Sequence, residues 1–198
     1  MKPKTILITG TTKGIGKKLF SLCKRKGYNT LALNRPKFDL KNPNYTLPRI
    51  YKNINTIVLN AGTFSRDSLR EFSFKLSRGI LETNLIGNML LVHKLVTEKR
   101  LAFEPLIVFI LTEDLLRHPS LLQEEYTYAI SKKGLEYFAT LLENSLVSRI
   151  RKVYLPLVDT QMLDYSLPIT GEILSAEQAA EIIMEVINGT DLPSYRPI

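Results

Sequence analysis

Thr5-Ile6-Leu7-Ile8 is a short apolar run, and Thr9-Gly10-Thr11-Thr12-Lys13-Gly14-Ile15-Gly16 follows it without a gap. A helical pattern opens at Ile15, runs to about Lys26 and stops at Gly27. A strand that turns through three glycines into a helix leaves few folds open. The glycines allow a tight turn and let another group approach the backbone where a Cβ would collide. At the turn, the helix presents unpaired N–H groups and the positive end of its dipole, a seat for an anion such as a nucleotide phosphate.

The rest of the chain repeats this alternation. Strands are expected at Thr5–Thr9, Asn29–Leu33, Ile57–Leu59, Leu106–Leu111 and Arg151–Leu155, with Phe38-Asp39-Leu40 as a candidate small strand between Pro36 and Pro43. A long helix is expected from Arg78 to Arg100, carrying Leu81, Leu85, Met89, Val92 and Val96. Two more are expected, from Tyr126 to about Ser148 and from Ala176 to Ile187 behind a Ser175 cap. Strands separated by helices read as βαβ units on a parallel sheet, with no repeat or linker to divide it.

Composition excludes some classes. The longest apolar run, Leu106 to Leu111, spans no bilayer, and the four-residue run at the start does not read as a signal peptide. A lone Cys23 forms no internal disulfide and fits a reducing, cytoplasmic setting. Residues 1–41 carry eleven Lys or Arg against one acid, Asp39, a local charge of +10; the remainder carries sixteen against eighteen, or −2. Lys17, Lys18, Lys24 and Arg25 fall on the solvated face of the first helix with no aromatic residues between them to stack on bases. A nucleic-acid partner is therefore not expected. His93 and His118 lie 25 residues apart without cysteines or paired acids nearby, so no metal site is expected.

A second element, Tyr128-Ala129-Ile130-Ser131-Lys132, puts a phenol and an amine four residues apart on one helix face. A free phenol titrates near pH 10, too high for acid–base work at neutral pH, and a nearby ammonium is expected to lower it.

With both elements in place, the chain resembles the short-chain dehydrogenase/reductase family over nearly its whole length. The family's TGxxxGxG turn stands as Thr9 to Gly16 and its Asn-Asn-Ala-Gly segment as Leu59-Asn60-Ala61-Gly62. Its helix asparagine is Asn84 in Thr83-Asn84-Leu85-Ile86-Gly87, and its YxxxK pair is Tyr128 and Lys132. The resemblance implies one Rossmann-type domain over 1–198, a doubly wound parallel sheet with helices on both faces. It implies hydride transfer between a nicotinamide cofactor and a carbonyl or alcohol substrate, with Tyr128 as general acid/base. Gly10, Thr12, Lys13, Gly14, Ile15 and Gly16 would hold the pyrophosphate, and Asp39 and Leu40 would meet the adenine. Asn60, Ala61 and Gly62 would pass beneath the adenosine ribose, Lys132 would reach ribose hydroxyls, and Val158 and Thr160 would face the carboxamide. Asn84 would help hold a water chain leading to the lysine.

Three departures matter. Leu111-Thr112 stands where the family usually has a Ser-Ser pair, so Thr112 is the expected third catalytic group, with Ser120 as its rival. Glu113 and Asp114 follow Thr112 at once, either capping and solvating the loop or selecting a basic substrate. Only 43 residues separate Gly16 from Asn60, which predicts a domain trimmed after its second strand. The end of the chain is expected to be trimmed as well, and the lid within Gln161–Leu174 to be small. Strand two ends in Leu33-Asn34-Arg35 with no acid, and Lys13 adds a cation beside the turn. Arg35 suits a ribose phosphate, so NADP(H) is expected over NAD(H), with Asn34 and Arg35 at the adenosine end. The resemblance also implies a homodimer or homotetramer through helices 78–100 and 126–148. An alternative reading is a cofactor-binding regulator or scaffold with a degenerate site.

Overall fold

Five parallel strands form the central sheet in the order β2-β1-β3-β4-β5: β1 (Thr5–Thr9), β2 (Asn29–Leu33), β3 (Ile54–Leu59), β4 (Leu101–Thr112) and β5 (Arg149–Leu155). This computed structural model describes residues 3–68, 70–116, 124–144, 148–163 and 173–189. The helices are α1 (Gly14–Arg25), α2 (Phe74–Leu81), α3 (Gly87–Thr97), α4 (Tyr126–Glu143) and α5 (Ala176–Ile187). Two short parallel strands, β6 (Leu157–Asp159) and β7 (Ile173–Ser175), make a separate ladder leading into α5.

Side-chain alternation along the strands divides the core into two layers. Ile6, Ile8, Val58, Val108 and Ile110 pack against Leu19 and Cys23 of α1 and Ala179 and Ile183 of α5. Leu7, Ile57, Leu59, Ile107 and Phe109 pack against Leu91 and Leu95 of α3 and Leu135 and Ala139 of α4. Strands covered on both faces must be apolar throughout, which is why Leu106 to Leu111 is buried without interruption. The chain leaves β1 for β2 on one side, then crosses to β3 on the other. That reversal opens a crevice beyond the strand ends, the place where ligands bind in open α/β sheets.

The expected trimming is present between β2 and β3, where residues 34–53 hold no helix or strand. Phe38-Asp39-Leu40 is not a strand, contrary to expectation. Asp39 instead holds a turn, accepting the Lys41 N–H on its side chain at 3.0 Å and the Asn42 N–H on its carbonyl at 2.9 Å, and the prolines around it carry no N–H to donate. Its apolar residues seal the sheet edge instead: Phe38 packs on the rings of Tyr45 and Tyr51, at 6.4 and 6.1 Å, and the Tyr51 hydroxyl donates to the Ala32 carbonyl at 2.8 Å.

The helix expected over 78–100 also differs. It begins at Phe74 behind the Ser73 cap, widens into a π-helical turn at Glu82–Ile86, and ends at Thr97 before Lys99 takes a left-handed φ of 52°. Its buried face is Ile80, Asn84, Asn88, Leu91 and Leu95, while Ile86, Met89 and Val96 stay exposed. β4 starts earlier than expected, at Leu101, because Leu101 pairs with Ile54 and the ladder resumes only at Leu106. Pro105 and a left-handed Glu104 sit in the extruded stretch. β5 likewise begins two residues early, and α4 ends at Glu143 rather than near Ser148. The chain end from 190 onward, and 164–172 of the expected lid, lie outside the described residues.

Candidate active site

The glycine turn is held from three sides. Gly10 and Gly14 take left-handed φ values of 70° and 53°, and the Gly10 N–H donates to the Leu33 carbonyl at 3.1 Å. A Cβ on Gly10 would lie 2.9 Å from Ala61 Cα, and one on Gly14 3.2 Å from Thr160 Cγ2. On Gly16 it would collide with the Gly10 carbonyl and stand 2.5 Å from Asn60 Nδ2. The spacing of these glycines thus answers to the packing of α1 against the ends of β1 and β3. Thr9, the first residue of the turn motif, staples those ends: its Oγ1 accepts the N–H groups of Asn60 at 3.0 Å and Ala61 at 2.9 Å. Asn60 Nδ2 returns donors to the carbonyls of Thr9 (3.0 Å) and Gly10 (3.2 Å).

Asn34 clamps the turn rather than pointing outward, since its amide accepts from Thr11 N and donates to Thr11 Oγ1, both at 2.7 Å. Thr12, Lys13 and Arg35 are exposed and Ile15 partly buried around the turn. The Leu40 side chain is buried against Gly87, and Asp39 Oδ1 accepts the Lys41 N–H at 3.0 Å. Val158 packs on the α1–α5 layer, whereas Thr160 reaches the turn at Gly14.

The second half of the site is built on α4 and the π-helical turn. Asn84 is fully buried; its Oδ1 accepts Thr63 N at 2.8 Å, and its Nδ2 donates to Thr63 O at 2.9 Å and Ser131 Oγ at 3.0 Å. Ser131 passes its proton to the Tyr128 carbonyl at 2.7 Å, tying the asparagine to the tyrosine's own helical turn. The widened turn is held by Asn88, whose Nδ2 donates to the Asn84 carbonyl at 2.8 Å. Such bulges recur at functional sites because they turn one residue out of the regular ladder. Lys132 is buried and donates to the Ile110 carbonyl at 3.0 Å. A Cβ on Gly62 would stand 3.5 Å from Asn84 Oδ1 and 3.9 Å from Lys132 Nζ. Gly62, Asn84 and Lys132 therefore converge, and Tyr128 lies one turn before Lys132, its ring edge-on to Phe64 at 5.1 Å.

The electrostatics depart from the sequence expectation. Burial pulls the Lys132 ammonium down to about 8. The Tyr128 phenol is raised, not lowered, by burial first and then by Asp114 and Glu125. Lys132 stands 5.8 Å from the ring centre and gives a hydrogen bond to a carbonyl instead, so its charge does not offset burial and the two carboxylates. Tyr128 is a protonated phenol at neutral pH.

One carboxylate anchors the start of α4 and another stands at the end of β4. Asp67, buried, accepts the Thr127 N–H at 3.0 Å and the Thr127 and Ser77 hydroxyls, the latter at 3.4 Å. It caps the first turn of α4 from sixty residues away, and losing such a buried acceptor costs about 1–3 kcal/mol. At the end of β4, Thr112 Oγ1 donates to Asp114 Oδ2 at 2.6 Å. Ser120 and His118 lie outside the described residues.

The architecture matches solved structures throughout. A short-chain dehydrogenase from Burkholderia cenocepacia in complex with NADP is 16% identical at a TM-score of 0.79, over 94% of this chain and 85% of that one. A short-chain dehydrogenase from Sphingobium yanoikuyae in complex with NADPH is 16% identical at 0.77, over 98% and 89%. Ligand-free aldohexose dehydrogenase from Thermoplasma acidophilum is 19% identical at 0.77, over 92% and 86%. No protein-family model and no curated protein sequence matches the chain.

Proposed function

From the short-chain dehydrogenase fold that the chain possesses, we propose an NADP(H)-dependent oxidoreductase that reduces a carbonyl to an alcohol, or runs the reverse. The observation that carries this reading is the convergence of Asn84 and Lys132 on Gly62, one helical turn from Tyr128. The crevice fits a dinucleotide on its own terms, because α1 begins there with no side-chain cap on its first N–H groups and no acid in its first turn. When bound, NADPH supplies a hydride to the carbonyl carbon. Tyr128 gives its proton to the carbonyl oxygen, a role suited to a phenol that stays protonated at neutral pH. Lys132, whose Nζ lies beside Gly62, would hold ribose hydroxyls of the cofactor, and Asn84 and Ser131 fix the helix that carries both groups. Consumption of NADPH with a panel of aldehydes and ketones tests the reading; a protein that binds NADPH yet turns over none of them is the cofactor-binding scaffold instead. One feature favours that second reading, the commitment of the Thr112 hydroxyl to Asp114.

The exposed Arg35 and Lys13 support NADP(H) over NAD(H). Arg35→Ala is expected to reduce the NADPH-to-NADH ratio of kcat/KM by about 10- to 100-fold, the worth of charge-assisted hydrogen bonds to a phosphate. An unchanged ratio would remove Arg35 from cofactor choice.

The whole chain acts as one NADP-binding domain in a reducing, cytoplasmic setting, and it assembles as a homodimer or homotetramer through 78–100 and 126–148. Ile86, Met89 and Val96 of the first stretch and Ile130, Tyr137 and Leu141 of the second are exposed apolar residues, which supports such a contact. Sedimentation at micromolar concentration should give more than one copy per particle, and a monomer would count against it.

A further inference from the structure

The first turn of α4, which carries Tyr128, takes its cap from a distant loop. Residues 60–68 leave the end of β3, and Asp67 of that loop is buried against the turn. Both Asp67 carboxylate oxygens accept the Thr127 N–H, at 3.0 and 3.2 Å. Its Oδ2 also accepts the Thr127 hydroxyl and, at 3.4 Å, the Ser77 hydroxyl of α2. The main chain adds a second tie: the Asp67 N–H donates to the Glu124 carbonyl at 3.1 Å, and Asp67 pairs with Glu125 in an isolated parallel bridge. Tyr128 follows Thr127 directly.

The same loop reaches the tyrosine twice more. Thr63 exchanges hydrogen bonds with Asn84, whose amide leads through Ser131 to the Tyr128 carbonyl. The Phe64 ring meets the Tyr128 ring edge-on at 5.1 Å. The first N–H groups of a helix have no partner within it, so the place of that turn is set by what caps it. Lys132, one turn further on, has a separate anchor in the Ile110 carbonyl of β4. Asp67 therefore governs the phenol and not the amine. Resting on the reductase reading above, we infer that Asp67 is a positioning residue: through Thr127 it fixes where the Tyr128 phenol stands, and so how fast the proton reaches the carbonyl oxygen.

The test is single-turnover NADPH oxidation with the aldehyde or ketone that the wild type reduces fastest, beside NADPH Kd and thermal melts. Asp67→Ala should slow oxidation by about 10- to 100-fold, the cost of misplacing a reacting group by about 1 Å. Its Kd should stay within about 3-fold of wild type, because the Lys132 anchor and the glycine turn are untouched. Asp67→Asn, whose amide oxygen still accepts the Thr127 N–H, should recover at least about 3-fold of the lost rate. In a Tyr128→Phe background, Asp67→Ala should alter the rate by less than about 2-fold, since a residue acting through the phenol has nothing left to place. An equal fall in both backgrounds overturns the inference and makes Asp67 a structural residue only. A rise in Kd that matches the fall in rate overturns it too, as does a wild-type rate in Asp67→Ala. If Asp67→Ala loses its cooperative melt, Asp67→Asn and Thr127→Val carry the same comparison. A fall of about 3- to 10-fold, for one lost hydrogen bond, is then expected; a wild-type rate, or an equal fall in both backgrounds, counts against the inference. If NADPH binds and the wild type reduces no carbonyl compound, the reductase reading fails and takes the inference with it.

Discussion

Tyr128→Phe is expected to lower kcat for carbonyl reduction by about 10²–10⁴-fold, the range for loss of a positioned general acid. The substitution removes one oxygen and keeps the ring that packs edge-on against Phe64, so α4 should retain its place. Ser131 and Asn84 hold the helix through the Tyr128 main-chain carbonyl, which the change does not touch. NADPH should still bind, with Kd raised no more than about 5-fold for one lost neutral hydrogen bond. Stopped-flow or steady-state NADPH oxidation beside a binding titration separates the two effects. Turnover equal to the wild type would end the assignment of Tyr128 as the proton donor. A fall in binding as large as the fall in kcat would instead make Tyr128 a cofactor-holding residue.

Gly16→Ala should harm both fold and cofactor site. The added methyl meets the Gly10 carbonyl and Asn60 Nδ2, and neither is a flexible side-chain end that can swing away. Asn60 is anchored on two carbonyls and Thr9. Overpacking of this kind costs roughly 1–3 kcal/mol, which lowers Tm by about 2–12 °C in a chain of this size. Because the colliding atoms form the turn itself, NADPH affinity should fall by about 10-fold or more through lost N–H contacts to a charged phosphate. Thermal melts with and without NADPH check both parts. Gly62→Ala is the comparison for stability: a Cβ there finds ordinary contact distances, so Tm should move by no more than about 2 °C. Equal melting of Gly16→Ala and wild type would show that the turn has slack these contacts do not suggest.

The local elements were legible because their cause is local. Apolar runs and glycines marked β1, α1 and β2, and the Ser175 cap marked the start of α5, where the structure adds Gln178 to close a capping box. The short interval between Gly16 and Asn60 foretold the missing helix after β2, as chain length alone limits what fits there. Less legible was the helix over 78–100. Its apolar residues cover more than one face, so period alone did not tell which side faces the sheet, and the π-helical turn at Asn84 rotates the register midway.

The linear order of residues determined a parallel α/β fold, a glycine turn opening α1, and a phenol and amine on one helical face, because each depends on neighbours within a few positions. Folding decided the rest. Only the packed chain brings Asp67 under the first turn of α4, Ser131 to Asn84, and the Asp114 carboxylate to Thr112. Hydrogen bonds of that kind and the pKa of a buried group depend on distance and desolvation, and neither is written in the spacing along the chain. The direction of the Tyr128 shift is the clearest case, since an adjacent lysine foretold a lower value and the surrounding protein sets a higher one.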